Sequence, residues 1–255
     1  NGYDEVFSQE DYPADKVVNS FGVQDDFLYD YAIPVLNQRA ATGQPFFATL
    51  LSISNHPPYV IPPFFHPKTS EPETQIVEYA DWALRQFFEE ARKQPWFDNT
   101  IFVLEGDHGK LVGDAECELP ESYNHIPLMI YSSRIQPEEK TTFGGQVDIQ
   151  PTILGLLNID YLQNNFGVDL LKEERPCMFY TADNMVVGRN DTLLYLYNYE
   201  TQQELTYDIG NGKLNAVPMD DSFLPLKEYS FSMLQSAEFL VKHGKTLNSI
   251  PFTQQ

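Results

Sequence analysis

An aspartate and a histidine stand side by side between glycines in Glu105-Gly106-Asp107-His108-Gly109. A carboxylate and an imidazole at adjacent positions of a glycine-bracketed turn can point at one metal ion, since both are donors that divalent cations accept. The same stretch also reads as a surface turn whose Asp caps the next segment. Two more histidines occupy comparable places, His56 in Ser54-Asn55-His56-Pro57 and His125 in Tyr123-Asn124-His125-Ile126-Pro127. Alone, each is as readily a buried imidazole bonded to backbone carbonyls. With Asp107 and His108 they outline one pocket for a metal and an anion, whereas His66 and His243 read as loop residues. On that reading the four side-chain tips converge within roughly 10 Å, the reach of one metal plus one phosphate.

The elements that must position these residues are legible as apolar runs. Pro45 to Ser54 and Thr100 to Glu105 are continuous and of strand length, as expected of parallel strands buried on both faces, and Ile126 to Tyr131 forms a third run. Each candidate histidine lies at the end of one of these runs, the edge at which α/β folds bind ligands. Between them, Ile76, Ala80, Ala83/Leu84, Phe87 and Ala91 recur at helical spacing in Thr74 to Gln94, before Pro95. An earlier helix opens at Asp25-Asp26, with a kink or break expected at Pro34, and another follows Asp148. Prolines crowd residues 57 to 72 into a loop. After about residue 175 the pattern changes to short β runs (Met178–Ala182, Met185–Gly188, Leu193–Tyr199, Glu204–Ile209) separated by polar turns, then a helix over Leu224 to Lys242. The expected organisation is a mostly parallel α/β sheet flanked by helices over residues 1–175, with a small antiparallel meander and terminal helix over 176–255.

Composition narrows the function. Sixteen Lys and Arg against 37 Asp and Glu in 255 residues give a formal charge of −21. A surface of that sign repels phosphate backbones and anionic bilayers, so nucleic acid is excluded as a partner held by bulk charge. No apolar run reaches the 18 residues of a membrane span. Two cysteines, Cys117 and Cys177, cannot make a disulfide scaffold. The chain starts at Asn1 and its first Met is Met129, which leads us to expect a piece of a longer protein.

Phe46-Phe47-Ala48 with Ser54-Asn55-His56-Pro57, then Asn99-Thr100-Ile101 with Gly106-Asp107-His108-Gly109, then Gly145-Gln146-Val147-Asp148-Ile149-Gln150-Pro151-Thr152, together resemble the lipoteichoic acid synthase-like phosphoglycerol transferases. These belong to the sulfatase branch of the alkaline phosphatase superfamily. Gly2-Tyr3-Asp4 and Phe166-Gly167-Val168-Asp169-Leu170 fit the same pattern, and the likeness is clear over residues 1 to 175.

The resemblance implies an alkaline phosphatase-like fold. It makes Asp107 and His108 two ligands of one divalent cation, Mn2+ foremost with Zn2+, Mg2+ or Ca2+ as alternatives. It assigns His56 and His125 to an anionic phosphodiester or sulfate-ester substrate, and gives Asp148 a helix-capping role. It also implies a Thr nucleophile and a further acidic ligand from strands upstream of Asn1, so no catalytic nucleophile is expected within the chain. Ser52 stands where two-metal relatives carry Asp, which argues against a second metal site. The parent is then expected to be a membrane-anchored enzyme with this domain extracellular or periplasmic. An exposed sheet edge, left without its upstream strands, is expected to drive self-association or rearrangement. Two alternatives stay open: a sulfatase-like hydrolase of sulfate or phosphate esters, and a non-catalytic module retaining the fold. Neither Cys117-Glu118-Leu119-Pro120 nor Cys177-Met178-Phe179 has the Cys-x-Pro-x-Arg pattern of a sulfatase nucleophile.

Overall fold

A computed structural model of the chain describes residues 2–111, 114–163, 165–210 and 212–245. They form two compact units, Asn1–Leu104 with Met129–Gln136, and Glu105–Leu128 with Pro137–Gln255. This division by compactness does not follow the 1–175 and 176–255 boundary expected from sequence. The reason is apolar: Leu119 packs into the core of the C-terminal meander and takes residues 105–128 with it.

The first unit is built on two helices, α1 (Asp25–Ala40) and α2 (Pro72–Ala91). Leu28, Ala32 and Leu36 on α1 and Ile76, Tyr79, Ala83, Phe87 and Ala91 on α2 are buried at helical spacing, the two stripes that hold the pair together. Pro34 neither ends nor divides α1, so the break that was one of the two expected outcomes does not occur; buried residues on both sides of it hold the helix to its core. A short hairpin, β1 (Val17–Asn19) with β2 (Gly22–Val23), precedes α1. Strands β3 (Phe102–Glu105) and β4 (Leu128–Tyr131) pair, with the Phe102 and Tyr131 rings 6.1 Å apart.

The apolar run through Phe46–Ser54 joins no ladder among the described residues, and it is not the doubly buried strand expected. Phe47 and Leu51 are 76% and 71% exposed. A strand acquires its burial from neighbours on either side, and no described strand supplies them here. Midway, the Thr49 hydroxyl lies 2.5 Å from the Tyr3 hydroxyl, and the segment is fixed most firmly at its end. Asp25 is buried at the start of α1, its Oδ1 accepts the N–H groups of Ile53 (3.1 Å) and Ser54 (3.0 Å), and the Ser54 hydroxyl donates to Gln24 Oε1 (2.8 Å).

The second unit holds the antiparallel sheet β5 (Met178–Ala182), β6 (Met185–Arg189), β7 (Leu193–Asn198), β8 (Gln203–Asp208) and β9 (Asn215–Ala216), in sequence order. The meander and terminal helix read from the sequence thus agree with the strands found and with α4 (Leu224–Lys242). Helix α4 lies so close to β6 that a Cβ on Gly188 would sit 2.5 Å from the Ser230 hydroxyl and 3.0 Å from the Leu226 carbonyl oxygen, so a larger residue would force a shift. Helix α3 (Ile149–Leu156) follows the turn Gln146–Asp148.

Candidate metal and substrate site

Asp107 and His108 follow β3 in a loop whose backbone is bonded repeatedly within the second unit. Gly106 N–H donates to the Pro127 carbonyl (3.4 Å), and Gly109 N–H to the Tyr123 carbonyl (2.9 Å). A Cβ at Gly109 would sit 1.9 Å from the Ser122 oxygen, so the close approach of the Glu121–Tyr123 turn requires glycine after His108. That turn is anchored in its own right. Glu121 pairs with Arg189 on β6, Glu118 accepts from the Tyr207 hydroxyl, and Leu119 is buried among Val187, Leu194 and Leu196.

From this braced backbone the two side chains project outward, Asp107 75% and His108 66% exposed. His108 Nδ1 lies 2.7 Å from the Gly109 carbonyl oxygen. A carbonyl can only accept, so Nδ1 carries the proton and the Nε2 lone pair is left for a ligand. Metal-bound histidines usually have this arrangement. Asp107 Oδ1 accepts the His108 N–H (3.0 Å), while Oδ2 stands 4.0 Å from His108 Nε2. Two donors at about 2.0–2.2 Å from a shared ion can be at most ~4.4 Å apart, so the pair fits a divalent cation. Among the described residues, no group of three or more His, Cys, Asp or Glu side chains could hold a metal. Asp107 and His108 by themselves therefore do not make up such a group.

An open depression of about 440 Å3 adjoins them, lined by His108, Gly109, Tyr123, Asn124 and Asp183, with Leu119. Asp183 comes from the β5–β6 turn, where Asp183 and Asn184 both adopt positive φ. Asn124 Nδ2 is buried without a hydrogen-bond partner, an omission that costs about 1–3 kcal/mol. Asn124, Asp183 and Gln146, which bonds to this loop, were not singled out in the sequence; side-chain amides and turn carboxylates carry no spacing signal.

His125 is exposed, two residues before the Pro127 that pairs with Gly106, and it does not line the depression. His56 belongs to the first unit. Its Nδ1 lies 2.7 Å from the Pro57 carbonyl oxygen and its ring lies tilted against Phe21, with centroids 3.9 Å apart. By the same carbonyl argument, Nδ1 carries the proton and the lone pair is on Nε2. Asp148 departs from its expected role. Its side chain does not cap α3; it is 0% exposed, accepts the N–H groups of Gly145 and Val168 (each 2.8 Å), and pairs with Arg175 Nη2 at 2.5 Å. An incoming guanidinium and two loop amides saturate the carboxylate before the helix can use it.

Both cysteines are free thiols. Burial pushes the Cys117 thiol up, against a hydrogen bond involving Leu119, and burial pushes Cys177 up against the pull of Arg175. Neither is an activated thiolate.

The architecture is that of the alkaline phosphatase superfamily: a member from Vibrio parahaemolyticus superposes with a TM-score of 0.80 at 25% identity, covering 95% of this chain and 60% of that one. The lipoteichoic acid synthase LtaP from Listeria monocytogenes shares the fold, with a TM-score of 0.77 at 22% identity over 99% of this chain and 66% of that one. Residues 1–159 match the Sulfatase family, and the chain belongs to it. Lipoteichoic acid synthase 1 of Bacillus subtilis is 27% identical over 83% of this chain and 35% of its own length. The lipoteichoic acid synthase of Staphylococcus saprophyticus is 28% identical over 62% and 27%. The chain thus spans about a third of the length of the curated relatives it matches.

Proposed function

We propose that the chain is the C-terminal part of a metal-dependent phosphoglycerol transferase, or a related phosphodiester-cleaving enzyme, acting on a lipid or glycan headgroup. The observation that supports it most directly is the Asp107–His108 pair, with Nε2 and Oδ2 4.0 Å apart on a backbone bonded on both sides. These two residues would hold one divalent cation, Mn2+ before Zn2+, Mg2+ or Ca2+. When bound, the ion would neutralise phosphoryl charge and lower the pKa of a coordinated nucleophile. The chain's own residues then bind and orient. His56 would offer a ring nitrogen to an anionic substrate, and His125 is assigned a substrate-binding role as well. The unpaired Asn124 amide offers a further donor beside His108.

A net charge of −21 makes a local cation the natural reason for an anionic substrate to approach. The nucleophile lies outside these residues, so the chain alone would be inactive. Membrane anchorage and an extracytoplasmic location belong to this proposal; no described helix is long and apolar enough to cross a membrane. The sulfatase alternative gains nothing from either raised thiol. The test is calorimetric titration of the full-length protein with Mn2+, beside phosphodiesterase and sulfatase assays. Asp107→Ala should weaken Mn2+ binding more than the 10- to 100-fold typical of outer-shell changes while leaving unfolding unchanged, because the side chain is exposed. Unchanged Mn2+ affinity in Asp107→Ala would remove the metal assignment.

A further inference from the structure

We propose that Gln146 is a positioning residue for Asp107, an inference that rests on the reading of Asp107 and His108 as cation ligands. The Gln146 amide Nε2 donates to the carbonyls of Gly106 (3.3 Å) and Asp107 (2.9 Å). A side-chain amide has two N–H donors, and here each finds one acceptor. Those carbonyls belong to the two peptide planes on either side of the Asp107 Cα. Holding both planes sets the direction of the Cα–Cβ bond and therefore where the carboxylate points. The Asp107 side chain does not set its own direction: it is largely in solvent, and its hydrogen bond is to the next residue's N–H.

The base of Gln146 is rigid enough for this task. Gly145 N–H and Val168 N–H both bond to the buried Asp148, and Arg175 locks that carboxylate from the other side through Nη2 and Nε. Arg175 Nη1 bonds to the Tyr229 hydroxyl (3.2 Å) on α4. A buried ion pair far from solvent thereby fixes the turn from which an exposed amide reaches the loop. Gly109 N–H, bonded to the Tyr123 carbonyl, secures the other end of the Asp107–His108 step. The ligand pair is pre-organised through backbone carbonyls on one side and a backbone amide on the other, leaving the side-chain donors unspent.

The experiment substitutes Gln146→Met, which keeps length and removes both donors, and Gln146→Asn, which keeps the amide one methylene short. The second covers the chance that the first misfolds. In the full-length protein, Mn2+ alone is titrated calorimetrically, amide exchange is followed at His108 and Gly109, and kcat and KM are measured against Mn2+ concentration. Mn2+ affinity should fall about 10-fold, the low end for an outer-shell partner, since water can replace an exposed amide's bonds. Exchange at His108 and Gly109 should quicken without metal, KM and thermal unfolding should hold, and excess Mn2+ should restore kcat. If Asp107→Ala abolishes Mn2+ binding while both Gln146 variants bind as the parent does, the positioning role is overturned and the cation reading survives. If Asp107→Ala binds as the parent does, the cation reading fails, and the proposal with it. Affinity that falls only together with thermal stability would show a general structural role and also overturn the proposal.

Discussion

The segment that delivers His56 and the loop that delivers Asp107–His108 begin from the same kind of sequence and end in different states. Both follow an apolar run with a turn whose histidine Nδ1 bonds to the next residue's carbonyl. Residues 105–128 are held by the buried Leu119, by the Glu121–Arg189 pair and by the Gly109 amide. Phe46–Ile53 leaves Phe47 and Leu51 in solvent and is fastened at its end by Asp25. Identical local grammar therefore gives a pre-organised loop only where other elements cover it.

The largest expected effect lies beneath the braced region. Asp148→Asn leaves the Arg175 guanidinium buried without its charge partner. Removing one member of a buried pair costs about 3–5 kcal/mol, readable as a lowered urea midpoint for the second unit. An unchanged midpoint would mean the pair does not brace this region. Leu119→Ala should follow, at about 2–5 kcal/mol for a buried Leu in a packed cluster. It should also quicken amide exchange at Gly109. The matching change in the other region, Phe47→Ala, should stay within about 0.5 kcal/mol, as exposed positions do. Equal losses at Leu119 and Phe47 would erase the contrast.

Asp25 gives a smaller effect with a defined sign. Burial raises its pKa above the usual carboxylate value, opposed by hydrogen bonds from Ser54 and Ile53 and reinforced by Asp26. A raised carboxyl favours the protonated folded state, so its contribution is complete below the unfolded pKa and is lost as pH rises through the folded value. Asp25→Asn should therefore gain on the parent in thermal stability across that acidic window and run parallel to it outside. A gap independent of pH would show that Asp25 does not titrate on folding. Smallest is the joint Phe47→Ser, Leu51→Ser change. It should leave folding intact and reduce concentration-dependent association by sedimentation, since exposed apolar edges seek partners; association that persists undiminished places the contact elsewhere.

How far the sequence could be read follows the range of the forces involved. The terminal helix at Leu224–Lys242, the β runs after residue 175 and α2 are written in local periodicity, and they form where the periods place them. The Asp107–His108 turn was legible as well, because adjacent residues need no fold to be adjacent. Asp148 was visible as a helix-start residue, but its capture by Arg175, 27 positions away, was not. Pro34 suggested a break that packing on both flanks of α1 overrides.

By itself the sequence determined the elements with strong periods, the pairing of two metal-type donors and the sign of the surface charge. Tertiary structure alone decided that residues 105–128 fold with the meander, that Gly109 is demanded by an approaching Ser122 carbonyl, and that Gln146 reaches two carbonyls forty residues away. It also decided that Phe46–Ser52 stays in solvent. The physical reason is the same in each case. Hydrophobic period and turn chemistry act within a few residues, whereas burial and hydrogen-bond partnership exist only between segments that folding has brought together.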